Sequence, residues 1–168
     1  QKIQFLGKTL FKIRALISFA DVEAGEIGGY LEREGNLDVS GDAWVYGDAQ
    51  VSGDAWVSGD ARVSGDAWVS GDAQVYGDAW VSKNTHYLTI GPIGSRDDTT
   101  TFFRTKELKI AVKCGCFNGT VEEFEAKVKE THGENDHAKI YLLAAEIAKT
   151  RIDLTAEKEP INPSHDPE

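Results

Sequence analysis

The sequence predicts a mainly β fold built around a short β-solenoid, and three observations predict it. Valine recurs every six residues, the triplet Gly-Asp-Ala recurs seven times between the valines, and the period ends after Ser82. A short internal period is typical of solenoids, in which each repeat packs only on its neighbours. The 168 residues suffice for one solenoid and a small second unit.

Each hexad predicts one side of a coil. The unit reads Val-(Ser/Tyr)-Gly-Asp-Ala-(Trp/Gln/Arg), in which Ala and Val share one face of a short strand and Gly-Asp forms the turn. Three hexads make a coil of 18 residues, and successive coils stack about 4.8 Å apart as parallel strands do. The inward valines are then Val39, Val45, Val51, Val57, Val63, Val69, Val75 and Val81.

Stacking by 18 residues sorts the outward side chains into three columns. We expect Arg62 to lie between two indoles and to make cation–π contacts with them. The tryptophans and Arg62 are a candidate partner surface; the alternative is that they stack on each other or are covered by the chain's own termini. The columns are Trp44, Arg62 and Trp80; Gln50, Trp68 and, if the register continues, His86; and Trp56 and Gln74.

The valine–alanine pairs that begin with Val39 and Ala43 resemble the hexapeptide-repeat family of left-handed β-helices. The resemblance implies a left-handed triangular prism. A right-handed triangular solenoid, as in bactofilin-like proteins, uses similar spacing and stays the alternative. Residues 11–44 also resemble the N-terminus of hexapeptide-repeat proteins encoded by phages and prophages, most of which lack an assigned activity. The segment after Ser82 resembles a C-terminal module of phage and prophage proteins that often lies beside hexapeptide repeats.

The rest of the chain divides around the repeat. Residues 1–38 are an N-terminal cap, with a strand indicated by alternating Phe11, Ile13 and Ala15. Residues 39–93 are the β-helix, residues 94–152 a small α+β module, and residues 153–168 a flexible, proline-containing tail. Within the module, residues 99–104 and 108–116 predict a β-hairpin, and Asn118-Gly119 predicts a turn.

Two helices are predicted to follow this hairpin. Thr120 and Glu123 form a capping box for the first helix, which Gly133 ends. Asn135 or Asp136 caps a second helix that runs to about residue 151. Its predicted apolar face consists of Ile140, Leu143, Ala144 and Ile147.

Composition excludes some functions. A net charge of -10 argues against direct binding of a nucleic-acid backbone, although it leaves open mimicry of one. No apolar run approaches the length of a membrane span, and no secretory signal is visible. Cys114 and Cys116 are too close in sequence for an unstrained disulfide, so we expect reduced thiols in a cytoplasmic protein. The turn aspartates suggest no metal site, and no cofactor is expected.

One loop is a candidate anion site. Its glycine, hydroxyl and guanidinium groups suit a phosphate or nucleotide, although the loop is not a P-loop and an ordinary turn with an Arg–Asp pair is the alternative. The candidate ligand-binding residues are Gly94, Ser95, Arg96, Thr99 and Arg104.

These features favour a non-catalytic binding protein of phage origin, acting in the host cytoplasm against a defence system. It would block a host protein complex or sequester a nucleotide signal, and we expect a homo-oligomer, with a trimer favoured. A second hypothesis is a hexapeptide-repeat acyltransferase, in which His86 is the candidate general base. A third is an acidic DNA mimic or a structural solenoid.

Overall fold

The computed structural model describes residues 1–157, and the N-terminal part of this range is an antiparallel meander. Strands β1 (Lys2–Phe5), β2 (Lys8–Arg14) and β3 (Ile27–Leu31) pair in sequence order. Phe11 and Ile13 lie in β2, so the predicted strand is confirmed.

The repeat forms seven strands of two residues each. They are β4 (Trp44–Val45), β5 (Gln50–Val51), β6 (Trp56–Val57), β7 (Arg62–Val63), β8 (Trp68–Val69), β9 (Gln74–Val75) and β10 (Trp80–Val81). They pair in parallel as β4–β7–β10, β5–β8 and β6–β9. Trp44 therefore lies opposite Arg62 and Arg62 opposite Trp80, which confirms the stacking by 18 residues.

The interior of the solenoid is built mainly from small aliphatic side chains. From Val45 to Val81 each valine of the period, with the alanine two residues before it, is buried. These side chains form one continuous hydrophobic cluster. Buried area of this kind stabilises a protein by roughly 25 cal/mol per Å², so the repeat supplies its own core.

The prediction for Val39 is wrong. Its side chain is 89% exposed, and Leu37 takes the inward position, where it bridges to Val57. Leu31 likewise lies opposite Val51 through the pairing of β3 with β5, so the first coil has a spacing of 20 residues instead of 18. Val39 lies in the two-residue insertion, where the Asp38 carboxylate accepts the Ser40 amide proton at 2.9 Å. The parallel ladders thus begin within the segment that we assigned to the cap.

A four-stranded antiparallel sheet follows the solenoid. Its strands are β11 (Tyr87–Ile93), β12 (Asp98–Arg104), β13 (Ile110–Cys114) and β14 (Phe117–Thr120), paired in sequence order. The hairpin β12–β13 was predicted. The turn predicted at Asn118-Gly119 is wrong, because both residues lie in β14 and the chain turns at Gly115, whose φ is +56°. Strand β11 pairs with β12 and so belongs to this sheet, although we assigned residues 87–93 to the solenoid.

Two helices pack on this sheet. Helix α1 (Val121–His132) begins with the predicted capping box of Thr120 and Glu123 and ends at Gly133. Helix α2 (Asp136–Arg151) is capped by Asn135, whose side chain accepts the Ala138 amide proton. Neither helix, of the residues described, is long and apolar enough to cross a membrane.

The predicted apolar face of α2 is confirmed for Ala144 and wrong for its other three residues. The side chains of Ile140, Leu143 and Ile147 are 42%, 64% and 52% exposed. Helix α2 packs into the cluster formed with α1 and the sheet through small residues and one aromatic residue. The buried side chains are those of Ala138, Tyr141, Ala144, Ala145 and Ala148.

Strand β12 joins the solenoid to the helical layer. Phe103 packs in the solenoid cluster, whereas its neighbour Phe102 packs in the cluster with the helices. Thr105 bridges to Ala79, and the Thr101 hydroxyl accepts the Gln74 amide proton at 3.0 Å. The antiparallel sheet therefore covers the C-terminal end of the solenoid.

The chain after α2 returns to the solenoid. The Asp153 amide donates to the Thr85 carbonyl at 3.0 Å, and Ile152 is buried. Residues 153–157 therefore pack on the protein, whereas we predicted a flexible tail from residue 153. The remainder of that prediction, residues 158–168, lies outside the described residues.

Candidate anion-binding cleft

The five residues of the predicted anion site do not come together. The loop at Gly94 packs against α2: a Cβ at Gly94, whose φ is +77°, would lie 1.7 Å from the Tyr141 hydroxyl oxygen. Ser95 and Arg96 belong to the same turn. Thr99 and Arg104 are at opposite ends of β12, about 16 Å apart at about 3.3 Å per residue. Of these residues, Arg104 lines a cavity with other charged groups.

The predicted tryptophan surface is partly covered by the N-terminal segment. Trp44 is buried, with Phe19 packed edge-on at 5.6 Å between ring centroids. Phe5 packs in the same way on Trp68 at 5.1 Å, and the Trp68 indole N–H donates to the Ser52 hydroxyl at 3.2 Å. Trp56 and Trp80 are half-buried. Trp44 is therefore a core residue, because the meander covers this side of the solenoid.

Arg62 lies beside Trp44 and Trp80 in the ladder, but its guanidinium points elsewhere. It donates to the Asp21 carboxylate at 2.7 Å and to the Asp42 carbonyl oxygen. The guanidinium carbon lies 6.0 Å from the centroid of the Tyr46 ring. The predicted contact with two indoles is therefore replaced by an ion pair and a cation–π contact with Tyr46.

A cavity of about 360 Å³ opens between the last coil, the turn after β12 and the chain after α2. This volume falls at the lower end of the range of small-molecule sites. Four cationic side chains, two carboxylates and one indole contribute to its lining. These residues are Arg62, Lys83, Arg104, Lys106, Asp66, Glu157 and Trp80. We call this cavity the Arg104 cleft.

Arg104 holds the walls of the cleft together. Its guanidinium donates to the Trp80 carbonyl at 3.1 Å and to the Thr155 carbonyl at 3.1 Å. A third nitrogen lies 3.5 Å from both the Ser82 hydroxyl and the Glu157 carboxylate. The arginine side chain is almost fully buried. A guanidinium in this position is a rigid, desolvated donor for an oxyanion.

His86 does not continue the tryptophan column but turns inward, because the register of the solenoid ends in a short 3₁₀ helix, Asn84–His86. Its ring is fully buried, and Nδ1 accepts the amide protons of Ser82 and Lys83 at 3.1 and 3.2 Å. The ring proton must therefore reside on Nε2, which has no hydrogen-bond partner among residues 1–157. Nε2 is 3.9 Å from the Glu157 carboxylate.

Burial, reinforced by the Arg104 charge, lowers the pKa of His86 to about 4. The imidazole is thus neutral at pH 7, and its Nε2–H is a buried donor on the side of the Glu157 carboxylate, which lines the cleft. A general base would need a nitrogen lone pair exposed to the substrate. The two amide hydrogen bonds to Nδ1 favour the tautomer that carries a donor at Nε2 instead.

Glu157 occupies the end of the cleft. Its carboxylate accepts the Ser82 hydroxyl proton at 2.5 Å and pairs with Lys83 and Arg104. Burial alone would raise the pKa of Glu157, but the hydrogen bonds from Lys83 and Ser82 lower it to about 2. An anion is therefore already held at this position.

The comparisons with known proteins bear on the repeat. Residues 55–71 match the family described as the YdcK beta solenoid repeat. The match covers strands β6, β7 and β8 and the two turns between them, and it supports a β-solenoid repeat protein. A search of the curated proteins found no match.

Sequence reasoning found Arg104 and His86 but missed Ser82, Lys83 and Glu157. One signal was present. The segments 31–37 and 81–87 share an aliphatic residue, a basic residue two positions later and an amide or imidazole side chain three positions after that. Both fold as a 3₁₀ corner. Glu157 had no signal, because only the fold brings it to the solenoid.

Proposed function

We propose that this chain is a non-catalytic binding protein that holds a nucleotide-type anion in the Arg104 cleft. The observation that carries the proposal is the buried Arg104 guanidinium beside the unpartnered Nε2–H of His86. Buried donors are normally satisfied, and this one has no partner among the described residues but lies 3.9 Å from the Glu157 carboxylate, which lines the cleft. A phosphate oxygen is an acceptor of the right charge.

The charges in the cleft support a phosphate ligand. Four cationic side chains and two carboxylates line it, which leaves a surplus of two positive charges in a chain whose net charge is -10. An acidic surface with a local cationic cleft disfavours a long polyanion, since the surrounding field repels it. A small anion enters the cleft without meeting that repulsion over an extended surface.

Trp80 supports a ligand with an aromatic ring. Its half-buried indole lines the cleft, with the Lys106 ammonium 5.6 Å from the ring centroid. Nucleobases stack on indoles with about 1–3 kcal/mol per base. A base on Trp80 and a phosphate at Arg104 together describe a nucleotide.

The proposal also covers the type of solenoid, its origin and its place in the cell. We infer a left-handed triangular solenoid of the hexapeptide-repeat type, encoded by a phage or prophage and acting in the cytoplasm of the host. Sequestering a nucleotide signal there would counter a defence system. The resemblance of residues 11–44 to phage-encoded proteins supports this inference.

We further propose that the chain forms a homo-oligomer, with a trimer as the expected state. The exposed side chains of Ile140, Leu143 and Ile147 on α2 support it, because an apolar stripe of this kind is normally covered. Light scattering of the wild-type chain tests it: a multiple of the monomer mass is expected, and a monomer at all concentrations contradicts it.

The binding proposal is tested with a panel of linear and cyclic nucleotides in a thermal-shift assay. A ligand that binds only the folded state raises the midpoint, by about 2.7 kcal/mol of stability at one hundred times its Kd. Trp80→Leu removes the stacking surface and should reduce the shift, while Trp56→Leu on another face should leave it unchanged. A panel without any shift would refute the proposal.

A further inference from the structure

The Glu157 carboxylate reaches the cleft from a segment with few ties to the rest of the protein. Within the part of the chain that the structure describes, the backbone between Asp153 and Glu157 makes two hydrogen bonds outside the segment: from the Asp153 amide to Thr85 and from Arg104 to the Thr155 carbonyl. The side chain of Glu157, in contrast, contacts Ser82, Lys83 and Arg104. The segment is thus held in the cleft largely by its carboxylate.

The first 3₁₀ corner shows what this geometry normally contains. There Asn36 accepts the Arg33 amide proton at 2.9 Å and donates to the carbonyls of Gly53 and Ala55 in the next coil. Arg33 pairs with the Asp54 carboxylate of that coil. The side chains of Arg33 and Asn36 both donate to the coil stacked on this corner.

The second corner is at the end of the solenoid, and no coil among residues 1–157 stacks on it. Glu157 supplies the carboxylate for Lys83, as Asp54 does for Arg33. Nothing among the described residues supplies the acceptor that Gly53 and Ala55 provide for Asn36, so the His86 Nε2–H is left without one. The corner is an oxyanion site with one of its donors unused.

We propose that the groups around Glu157 form a phosphate subsite and that Glu157 is an internal ligand which a phosphate displaces. This inference rests on the proposed function. A carboxylate offers two oxygens and one charge, and at 3.9 Å it does not hydrogen-bond the His86 Nε2–H. A phosphate has more oxygens and up to two charges, so it satisfies Lys83 and Arg104 and reaches His86 as well.

Displacement has a structural consequence. When a phosphate takes the subsite, the Glu157 carboxylate moves into water and residues 153–157 lose the interactions that hold them. The cleft then opens on the side formed by Ala156 and Glu157. The C-terminal segment therefore competes with the ligand, and the affinity of the cleft depends on it.

Calorimetric titration of the full chain with inorganic pyrophosphate tests the competition, with Glu157→Gln as the informative variant. The neutral amide keeps the shape but removes the competing charge, so it should tighten pyrophosphate binding about tenfold. Glu134→Gln, an exposed residue after α1, makes the same change in net charge and should leave the affinity within twofold. Adding Lys83→Gln to Glu157→Gln should reverse the gain.

Hydrogen exchange supplies a readout that does not depend on the variant. Saturating pyrophosphate should increase exchange at the amides of residues 153–157 in the wild-type chain. If the variant and the wild type bind pyrophosphate equally and exchange is unchanged, Glu157 is a structural cap and the inference is wrong, while nucleotide binding at Trp80 would leave the proposed function standing. If neither pyrophosphate nor any nucleotide binds any variant, both fail.

Discussion

His86 carries a pH-dependent contribution to stability. The unfolded chain takes up a proton on this imidazole near its ordinary pKa of 6.5, whereas the folded chain does so only near 4. Between these values the unfolded state binds more protons, so stability falls as the pH falls from 6.5 to 4 and is fully retained above 6.5. A lone histidine of this kind is worth about 3 kcal/mol over the whole window.

The variant His86→Asn tests this contribution. Its side-chain oxygen can replace Nδ1 as the acceptor for the Lys83 amide, as Asn36 does for Arg33, but it does not titrate. Urea unfolding should show that the wild type loses about 2 kcal/mol more than the variant between pH 7 and pH 5. Equal losses in the two proteins would mean that His86 is not held neutral by burial.

Helix α2 shows why an apolar sequence pattern can predict the wrong buried face of a helix. The sequence offers two overlapping faces: one with Ile140, Leu143 and Ile147, the other with alanines and Tyr141. Hydrophobicity alone selects the larger side chains. The structure buries the alanine face, since α2 lies close to α1 and β11 and the loop at Gly94 packs onto Tyr141. Which face of α2 is buried depends on its tertiary neighbours, and a single sequence does not report those.

A pair of substitutions in α2 distinguishes the two faces. Ala148→Leu adds three carbons to a fully buried position and should destabilise the chain by about 1–3 kcal/mol. Leu143→Ala removes carbons from an exposed position and should change stability by less than about 0.5 kcal/mol in the monomer. Urea unfolding at low protein concentration measures both, and the reverse order would restore the predicted face.

The solenoid was far more predictable than this helix. The valine period, the turn glycines and the pairing of Trp44 with Arg62 follow from the repeat, because identical units impose identical geometry on their neighbours. The prediction for Val39 is wrong because this residue lies where the repeat begins. There the preceding segment competes for the inward position, and Leu37 takes it. A regular repeat therefore predicts the structure of its inner hexads better than that of the hexads at its ends.

The whole molecule is coupled through β12. Phe102 and Phe103 are both fully buried, but they contribute to different clusters on opposite faces of the strand. Disrupting one cluster would expose one of these phenylalanines and so disturb the strand that also carries the other. The solenoid and the helical layer are therefore expected to unfold as one unit.

Two optical probes report on the two parts separately. The four tryptophans, at positions 44, 56, 68 and 80, are all in the solenoid, whereas α1 and α2 lie after it. Indole fluorescence and the helical signal of circular dichroism should therefore give coincident midpoints during urea unfolding. Separate transitions would show that β12 does not couple the layers.

The cleft is formed by segments that lie far apart in the sequence, which explains why only part of it was predicted. The sequence indicates Arg104 as a candidate because it is a cation near a polar loop. Its neighbours in the cleft, however, come from the last coil and from the segment after α2. Ser82 and Glu157 are 75 residues apart. No local sequence pattern predicts this contact, because it forms only in the tertiary structure.

Calorimetric titration of nucleotides into Arg104→Lys and Lys83→Gln, beside the wild type, tests the central claim most directly. Lysine keeps the charge at position 104 but loses the paired donors, so affinity should fall about tenfold or more in each variant; Lys127→Gln, on the exposed face of α1, serves as the control and should bind as the wild type does. A nucleotide that binds the wild type and both cleft variants with equal affinity would place its site elsewhere and contradict the account.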